Sequence, residues 1–392
     1  MVTFVEIVSP HSRVALGDGC GAPTELYRPL SEAAAGKDVR LVLGWVPGPV
    51  SHLDLEAFAD VRTVMGGSGL RRAIENGRVR SVPCRLSAVP RLLTGALRPD
   101  LLVATLVRRG DGLYPGTESS YLRGLIAAGV PVAAVVSTLA PCADSGPPIP
   151  PGQVTVLAET DTPPLEIPDA APSAADDVIA RQVAALVPEG ARIQVGPGRL
   201  AQAIVGALEV PVRVDSGLLP EPVVDLEAKG LLIGEPSAAY LAGTRRLYDW
   251  AEGRRILHPI EHTHDLGRLS AADAPPLVAL NSALEVDLDG QVNAEGVGPA
   301  AAGMIGGHPD FSAAAARGPG ASVIALPSTV KGAPTLVERL SRPVTTPSHD
   351  VEVVVTERGV ADLRGLDRTE RRAALRALWD GEILARADRS GH

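Results

Sequence analysis

The sequence predicts an α/β protein of two successive domains, each built on a mostly parallel sheet. Three observations lead there. Short apolar strand patterns alternate with helical ones from Val14 to Val136. One of those strands, Pro99 to Val107, is apolar almost throughout from Leu101 to Leu106, as in a strand covered on both faces. A proline-rich stretch, 141–172, interrupts the pattern, and the alternation resumes beyond it. The expected domains are therefore 1–172, with a connector from about 141, and 173–392.

The elements follow in order. Val14 to Leu16 is a short strand, and GDGCGAP a turn into a helix from Thr24, its N-cap, through Ala35. A strand, glycine loop and helix can hold an anion, although a tight turn needs the same glycines. Arg40 to Trp45 is a strand, Leu53 to Ala59 and Leu70 to Asn76 short helices, and Val79 to Val82 a strand. After Pro99–Val107 come a helix over Thr117–Ala128 and a strand over Val130–Val136. Within the connector, Val154 to Leu157 has room to be an edge strand. The second half gives a helix over Ala174–Leu186, a strand over Arg192–Val195, a helix over Gly198–Leu208 and a closing amphipathic helix over Glu370–Asp380, with Asp388–His392 frayed.

Composition narrows the function classes. The net charge of −9 argues against nucleic acid as a partner. The longest uncharged apolar run, Gly124 to Pro141, contains Pro131, Ser137 and Thr138 and reads as a helix end plus a buried strand, not a membrane span. The start, MVTFVEIVSPHSR, lacks a basic stretch before a long apolar core, so no signal peptide is expected. Cys20, Cys84 and Cys142 are spaced for neither a disulfide framework nor a metal site, and a cytoplasmic, reduced setting is the default.

Residues 279–310, ALNSALEVDLDGQVNAEGVGPAAAGMIGGHPD, carry the most chemistry. Leu284, Val286 and Leu288 alternate with Glu285, Asp287 and Asp289, as in a strand with one wet face. Asp289-Gly290 supplies a reversal. Gly303, Gly306 and Gly307 then let a backbone approach a ligand closely, with N–H groups suited to an oxyanion or phosphate.

NSALEVDLDGQVNAEGVG followed by GMIGGHPDF resembles the C-terminal signature of the acetyl-CoA hydrolase/transferase family, the carboxylate CoA-transferases that include 4-hydroxybutyrate and butyrate:acetate CoA-transferases. SRPVTTPSHDVEVVVTERGVADLRGLDRTERRAAL (341–375) resembles its closing segment, ARIQVGPGRLAQAIVGAL (191–208) its mid-chain element, and VALGDGCGAPTEL (14–26) its opening loop. The resemblance implies two tandem CoA-transferase-type domains with the active site between them. It also implies coenzyme A as ligand, an acyl-CoA and a small carboxylate as substrates, a homodimer or larger homo-oligomer, and no metal. By the same resemblance, Gln194, Val195, Gly196, Pro197 and Gly198 contact CoA, although a plain strand-to-helix turn reads equally well. Gly306 and Gly307, with Gly303 before them, match the oxyanion loop.

Chemistry in that family runs through one glutamate, which attacks the acyl-CoA carbonyl and then carries CoA as a thioester. Its place is eight residues before an Asp-Leu pair. Counting back from Asp225-Leu226 reaches Gly217, which has no side chain. Asp215 and Glu221 lie nearby out of register, and His308, in a place where glutamine is usual, is a candidate general base for water. Arg254, Ser137 and Ser348 also depart from the family pattern, standing where asparagine, asparagine and arginine are expected. His262-x-His264-Asp265 has the form of half a metal site but no third ligand at diagnostic spacing, so these read as surface loop histidines.

Three functions follow. One is an acyl-CoA hydrolase or CoA-transferase with an altered nucleophile, through Glu221, Asp215 or His308. The second is a non-catalytic CoA or acyl-CoA binding or regulatory subunit. The third is a carbon–carbon bond hydrolase on a cyclic acyl-CoA.

Overall fold

The computed structural model describes residues 3–143 and 146–379. It divides into two compact units: Met1–Pro168 with Ser237–Thr263, and Asp169–Pro236 with His264–His392. The segment 237–263 thus belongs with the first unit, which no composition shift announces.

The first unit is organised on one sheet. Its strands are β1 (Arg13–Leu16), β2 (Arg40–Leu43), β3 (Asp60–Thr63), β4 (Arg80–Ser81), β5 (Leu101–Arg109), β6 (Gly112–Tyr114), β7 (Val132–Ser137) and β8 (Val154–Thr160). The order is β4-β3-β2-β1-β5-β7-β8, parallel throughout, with β6 antiparallel on β5. β5 and β7 sit centrally and are almost wholly buried, as their unbroken apolar runs require. β8 takes the edge, where the prolines around it do least harm. Leu16, Leu30, Leu41, Phe58 and Val103 centre the core on one face.

Three elements differ from the sequence reading, the first being the helix expected over Thr117–Ala128, which forms only over Leu122–Ala127. Leu53–Ala59 is no helix: only a 3-10 turn forms at Leu55–Ala57, capped by Asp54, and the chain runs straight into β3. The helix expected from Thr24 begins at Tyr27, after a 3-10 turn over Thr24–Leu26, and Thr24 makes no cap.

The second unit repeats the plan. Its sheet contains β9 (Arg192–Val195), β10 (Arg213–Val214), β11 (Leu277–Ser282), β12 (Ala321–Ala325), β13 (Val353–Thr356) and β14 (Gly359–Asp362), in the order β10-β9-β11-β12-β13-β14. All neighbours are parallel except the β13–β14 hairpin. Helices over Ala174–Ala184, Arg199–Gly206, Pro222–Ala228 and His308–Arg317 accompany it. The closing helix runs Arg368–Leu378, capped by Asp367; Asp380 and the tail Asp388–His392 lie outside the described residues. Among the described residues, no helix is long and apolar enough to cross a membrane.

Glu285–Asp287 is a strand and Gly290 turns at φ +79°, as read, but the face expected to be wet is buried. Glu285 accepts from Asn293 Nδ2 and from the Ser341 N–H and hydroxyl. Asp287 accepts from the backbone of Asp289 and Gln291 and from the Gln291 amide. Period two was correct; the far face meets polar partners instead of water.

A buried ion cluster ties the strand ends of this unit to the chain that follows His264. Asp215 lies just past β10, 5% exposed. Arg268 donates to both its oxygens at 2.8 Å, and Arg192 Nη1 reaches Oδ2 at 3.2 Å. Arg192 also donates to the carbonyls of Leu269 and Pro275, while the Asp265 side chain caps the Leu266–Leu269 turn through the Arg268 N–H. Removing the single carboxylate would leave two guanidiniums facing a dry site. Asp215→Ala is expected to cost about 3–5 kcal/mol, read by urea unfolding. A loss under about 1 kcal/mol would mean the cluster does not hold this segment.

Candidate functional site

The carboxyl ends of parallel strands are where α/β sheets bind ligands. In the second unit, a run of contacts joins those ends. β9 opens into Gly196-Pro197-Gly198, and nothing lies within 4 Å of where a side chain would stand at either glycine. Gly198, at φ +111°, needs to be glycine and heads the Arg199–Gly206 helix. Gln194 beside it is 3% exposed, and its Oε1 has no hydrogen-bond partner among the described residues. Ser216 bridges to β9, donating to the Val195 carbonyl at 3.0 Å and accepting from its N–H at 3.3 Å.

Gly217 comes next, and His264 fills the space beside it. This histidine is 1% exposed, with its ring edge-on to Phe311 at a 4.9 Å centroid distance. It is not the surface residue that its sequence context suggests. Burial first, and then the Arg268 charge, lower its pKa to about 3, so the ring is neutral. Its other neighbour is Gly307, which starts the His308–Arg317 helix. His264 therefore brings the Gly217 turn and the glycine loop together. Among the described residues, no cluster of three or more metal-ligating side chains forms.

The three tentative catalytic side chains fare differently. Asp215 is clamped by two arginines, which leaves neither oxygen poised for attack. Both nitrogens of His308 are engaged, Nδ1 by the Thr346 hydroxyl at 2.7 Å and Nε2 by the Ser282 carbonyl at 3.2 Å. A carbonyl only accepts, so Nε2 carries the proton and Nδ1 accepts from Thr346. Burial lowers His308 to about 4 despite the Ser282 bond. His308 thus anchors the glycine loop to the end of β11. Glu221 stands half-buried at the head of the Pro222–Ala228 helix. Of the loop glycines, Gly306 at φ +53° and Gly307 form the helix entry. Gly303 instead donates to the Glu295 carbonyl at 3.0 Å, so its N–H is already used.

The opening loop of the first unit is also occupied by its own chain. Gly21 N–H donates to Glu118 Oε2 at 3.1 Å, and a side chain at Gly19 or Gly21 would stand within 2.9 Å of that carboxyl group. Asp18 Oδ2 accepts from the Trp45 N–H at 3.0 Å and the Tyr240 hydroxyl at 2.8 Å, while its Oδ1 has no partner among the described residues. Both acids are buried at 2% exposure or less. In front lies a cleft of about 290 Å³ lined by Gly19, Cys20, Gly21, Glu25, His52 and Thr160 among others, with no Lys or Arg on its wall. With the Gly21 N–H taken by Glu118, these contacts fit the tight-turn reading of the loop. Glu118, Asp18, Arg192 and Arg268 were not found from sequence; nothing in the local pattern around them marks a buried charge.

Among the departures from the family pattern, Ser137 caps a turn by accepting from the N–H groups of Leu139 and Ala140. Arg254 stacks on Trp250, 4.1 Å from the ring centroid.

Burial raises Asp18 to about 6, against the pull of the Trp45 and Tyr240 bonds. Glu118 is raised well above the usual range by burial and then by Asp18. An acid whose folded pKa lies above its unfolded value stabilises below the unfolded value and loses that contribution as pH rises through the folded one. Asp18→Asn is therefore expected to gain stability relative to wild type between pH 4 and pH 7, by up to about 3 kcal/mol, and to level off above. Urea unfolding at a series of pH values reads this; parallel wild-type and variant profiles would show that Asp18 does not titrate in that window.

The C-terminal part of the chain, residues 243–381, matches the family model for the acetyl-CoA hydrolase/transferase C-terminal domain. The succinyl-CoA:cyclohexane-1-carboxylate CoA transferase of Geobacter metallireducens is 31% identical over 77% of this chain and 73% of its own. The 4-hydroxybutyrate coenzyme A transferase of Clostridium kluyveri is 25% identical over 95% of this chain and 91% of its own. The structure of RipA from Yersinia pestis superimposes with a TM-score of 0.87 at 23% identity, over 98% of this chain and 94% of that one, which bears on the fold. With its signature blocks, its two mostly parallel α/β units and these relatives, the chain belongs to the acetyl-CoA hydrolase/transferase family.

Proposed function

We propose that the chain binds an acyl-CoA thioester and hydrolyses it to the free acid and CoA without an enzyme-bound intermediate. Relatives named as CoA-transferases and as acetyl-CoA hydrolases support thioester chemistry in general. The observation that selects hydrolysis is position 217. A glycine stands where the family resemblance places the nucleophile, and a neutral imidazole fills the adjoining space. A glycine cannot form the mixed anhydride on which CoA transfer depends.

The remaining parts have roles in this reading. Gln194 to Gly198 contact CoA, with Gly196 and Gly198 facing open space and Gln194 and Val195 buried behind them. The amides of Gly306 and Gly307, at the positive end of the His308–Arg317 helix, face the oxyanion. Asp215 and His308 hold the frame. Glu221, four residues after Gly217 at the head of the Pro222–Ala228 helix, is the carboxylate this reading assigns to the activation of water. A second reading, a CoA-binding protein without turnover, is favoured by the clamping of Asp215 and the two engaged nitrogens of His308.

The test is a panel of acetyl-, propionyl-, butyryl- and succinyl-CoA, with and without acetate, followed by mass. Release of CoA without acetate, and no hydroxylamine-trapped adduct on the protein, is the expected result. Exchange that requires acetate and leaves a trapped adduct would overturn the proposal. Silence with CoA still bound in calorimetry would select the second reading. Within an active protein, Glu221→Gln should slow hydrolysis about 100-fold or more if it activates water; an unchanged rate removes it.

A further inference from the structure

We infer that His264 is a steric plug that keeps position 217 without a side chain, and so determines which chemistry the site can perform. The inference rests on the reading that this site handles an acyl-CoA thioester.

Glycine at 217 is not demanded by the backbone. Gly217 is not among the residues with positive φ, and Gly307 sits at φ −86°, a conformation any residue adopts. Space is what excludes a side chain. The first carbon of one at 217 would stand 3.0 Å from His264 Nε2, 3.1 Å from its Cε1 and 3.5 Å from Phe311. At 307 it would stand 2.5 Å from Nε2, 2.8 Å from Cδ2 and 3.1 Å from Phe311. One ring therefore crowds a side chain at two positions far apart in the sequence. At 307 the ring would have to be displaced; at 217 it would have to give by a few tenths of an ångström, which a packed ring resists.

The ring has little freedom to give way. Phe311, on which its edge rests, is 1% exposed and packs with Leu269, Leu277 and Ala314. The backbone on the C-terminal side of His264 enters a turn capped by Asp265, and that turn is fastened through Arg268 to Asp215. The backbone that carries the imidazole is thus held by this assembly, and the ring itself by Phe311. The contrast with the β9 loop is informative. At Gly196 and Gly198 nothing lies within 4 Å of where a methyl group would stand, so glycine there leaves room for a ligand, whereas Gly217 and Gly307 leave room for His264.

The chemical consequence is specific. A carboxylate at 217 would attack the thioester carbonyl, break the C–S bond and release CoA as the thiolate. Return of the thiolate to the resulting anhydride would release the acyl carboxylate and leave a glutamyl thioester. Hydroxylamine would convert that to a hydroxamate and free CoA. The plug removes the first of these steps by occupying the space the side chain needs, and it leaves direct attack by water open.

The experiment is a double-mutant cycle read by thermal unfolding. Gly217→Ala is expected to lower Tm by about 3–8 °C in the wild-type background and by nothing further in His264→Ala. The same cycle with Gly307→Ala gives an independent arm. Equal losses in both backgrounds, at both glycines, would overturn the plug. The functional arm compares Gly217→Glu with Gly217→Glu/His264→Ala after incubation with acetyl-CoA and hydroxylamine. An adduct in the double variant alone is the expected result. An adduct in Gly217→Glu alone, or in neither, would overturn the claim that space is what bars the covalent route. A trapped adduct on the wild-type protein would instead remove the proposed function and leave the steric cycle standing on its own result.

Discussion

The buried carboxylate of Asp215 constrains everything around it in the second unit. A charge at 5% exposure survives only if it is paired and hydrogen-bonded, and here both requirements fall on two arginines from distant parts of the chain. Arg192 comes from β9 and Arg268 from the turn after His264. By satisfying Asp215 they hold the end of β10, the base of β9 and the 265–270 turn in one arrangement. The energetic gain of such a cluster is small once desolvation is counted. What the pairing fixes is where the turn is tied, to the ends of β9 and β10, directly after the histidine whose ring packs beside Gly217.

The same logic runs with opposite outcome at the two glycine loops of the sheet ends. After β9 the glycines face open space, as the proposed contact with CoA requires. After β1 the glycines face Glu118, whose carboxyl group takes the Gly21 N–H that an anion would otherwise take. Loops with similar composition therefore do different work. The difference lies in a side chain far along the chain, so counting glycines could not reveal it.

That also marks what the sequence made legible. Strand β9 was read to the residue, the Asp289-Gly290 turn and the edge position of β8 followed from glycine and proline chemistry, and the apolar runs of β5 and β7 placed them centrally. Local rules settle local geometry. They failed where a long-range partner decides. Thr117 to Ser120 read as helix, yet Ser120 turns at φ +42° and Glu118 is buried under the first glycine loop. Glu285 and Asp287 read as a wet face, yet Asn293, Ser341 and Gln291 satisfy them in the interior. His264 read as a loop residue because no third metal ligand stands at diagnostic spacing from His262 and His264; nothing in that short stretch points to Phe311 or Gly217.

A thioester carbonyl needs two things from a protein, a nucleophile and a place for negative charge to gather. The second can be built from backbone alone, and on the proposed reading the glycine pair leading into a ten-residue helix supplies it. The first requires a side chain in the right place, and the three that sequence offers are a clamped aspartate, a histidine with both nitrogens engaged and a glutamate at a helix head. A neutral imidazole, its pKa lowered to about 3 by burial and by Arg268, brings no charge of its own into the space beside Gly217. On the proposed reading, then, filling the space beside Gly217 with His264 costs the site its covalent route while leaving the backbone half of the machinery undisturbed. A carboxylate held in the same space, with the Asp215 charge close by, would have had to stay paired or take up a proton. The imidazole meets the same packing demand with neither requirement.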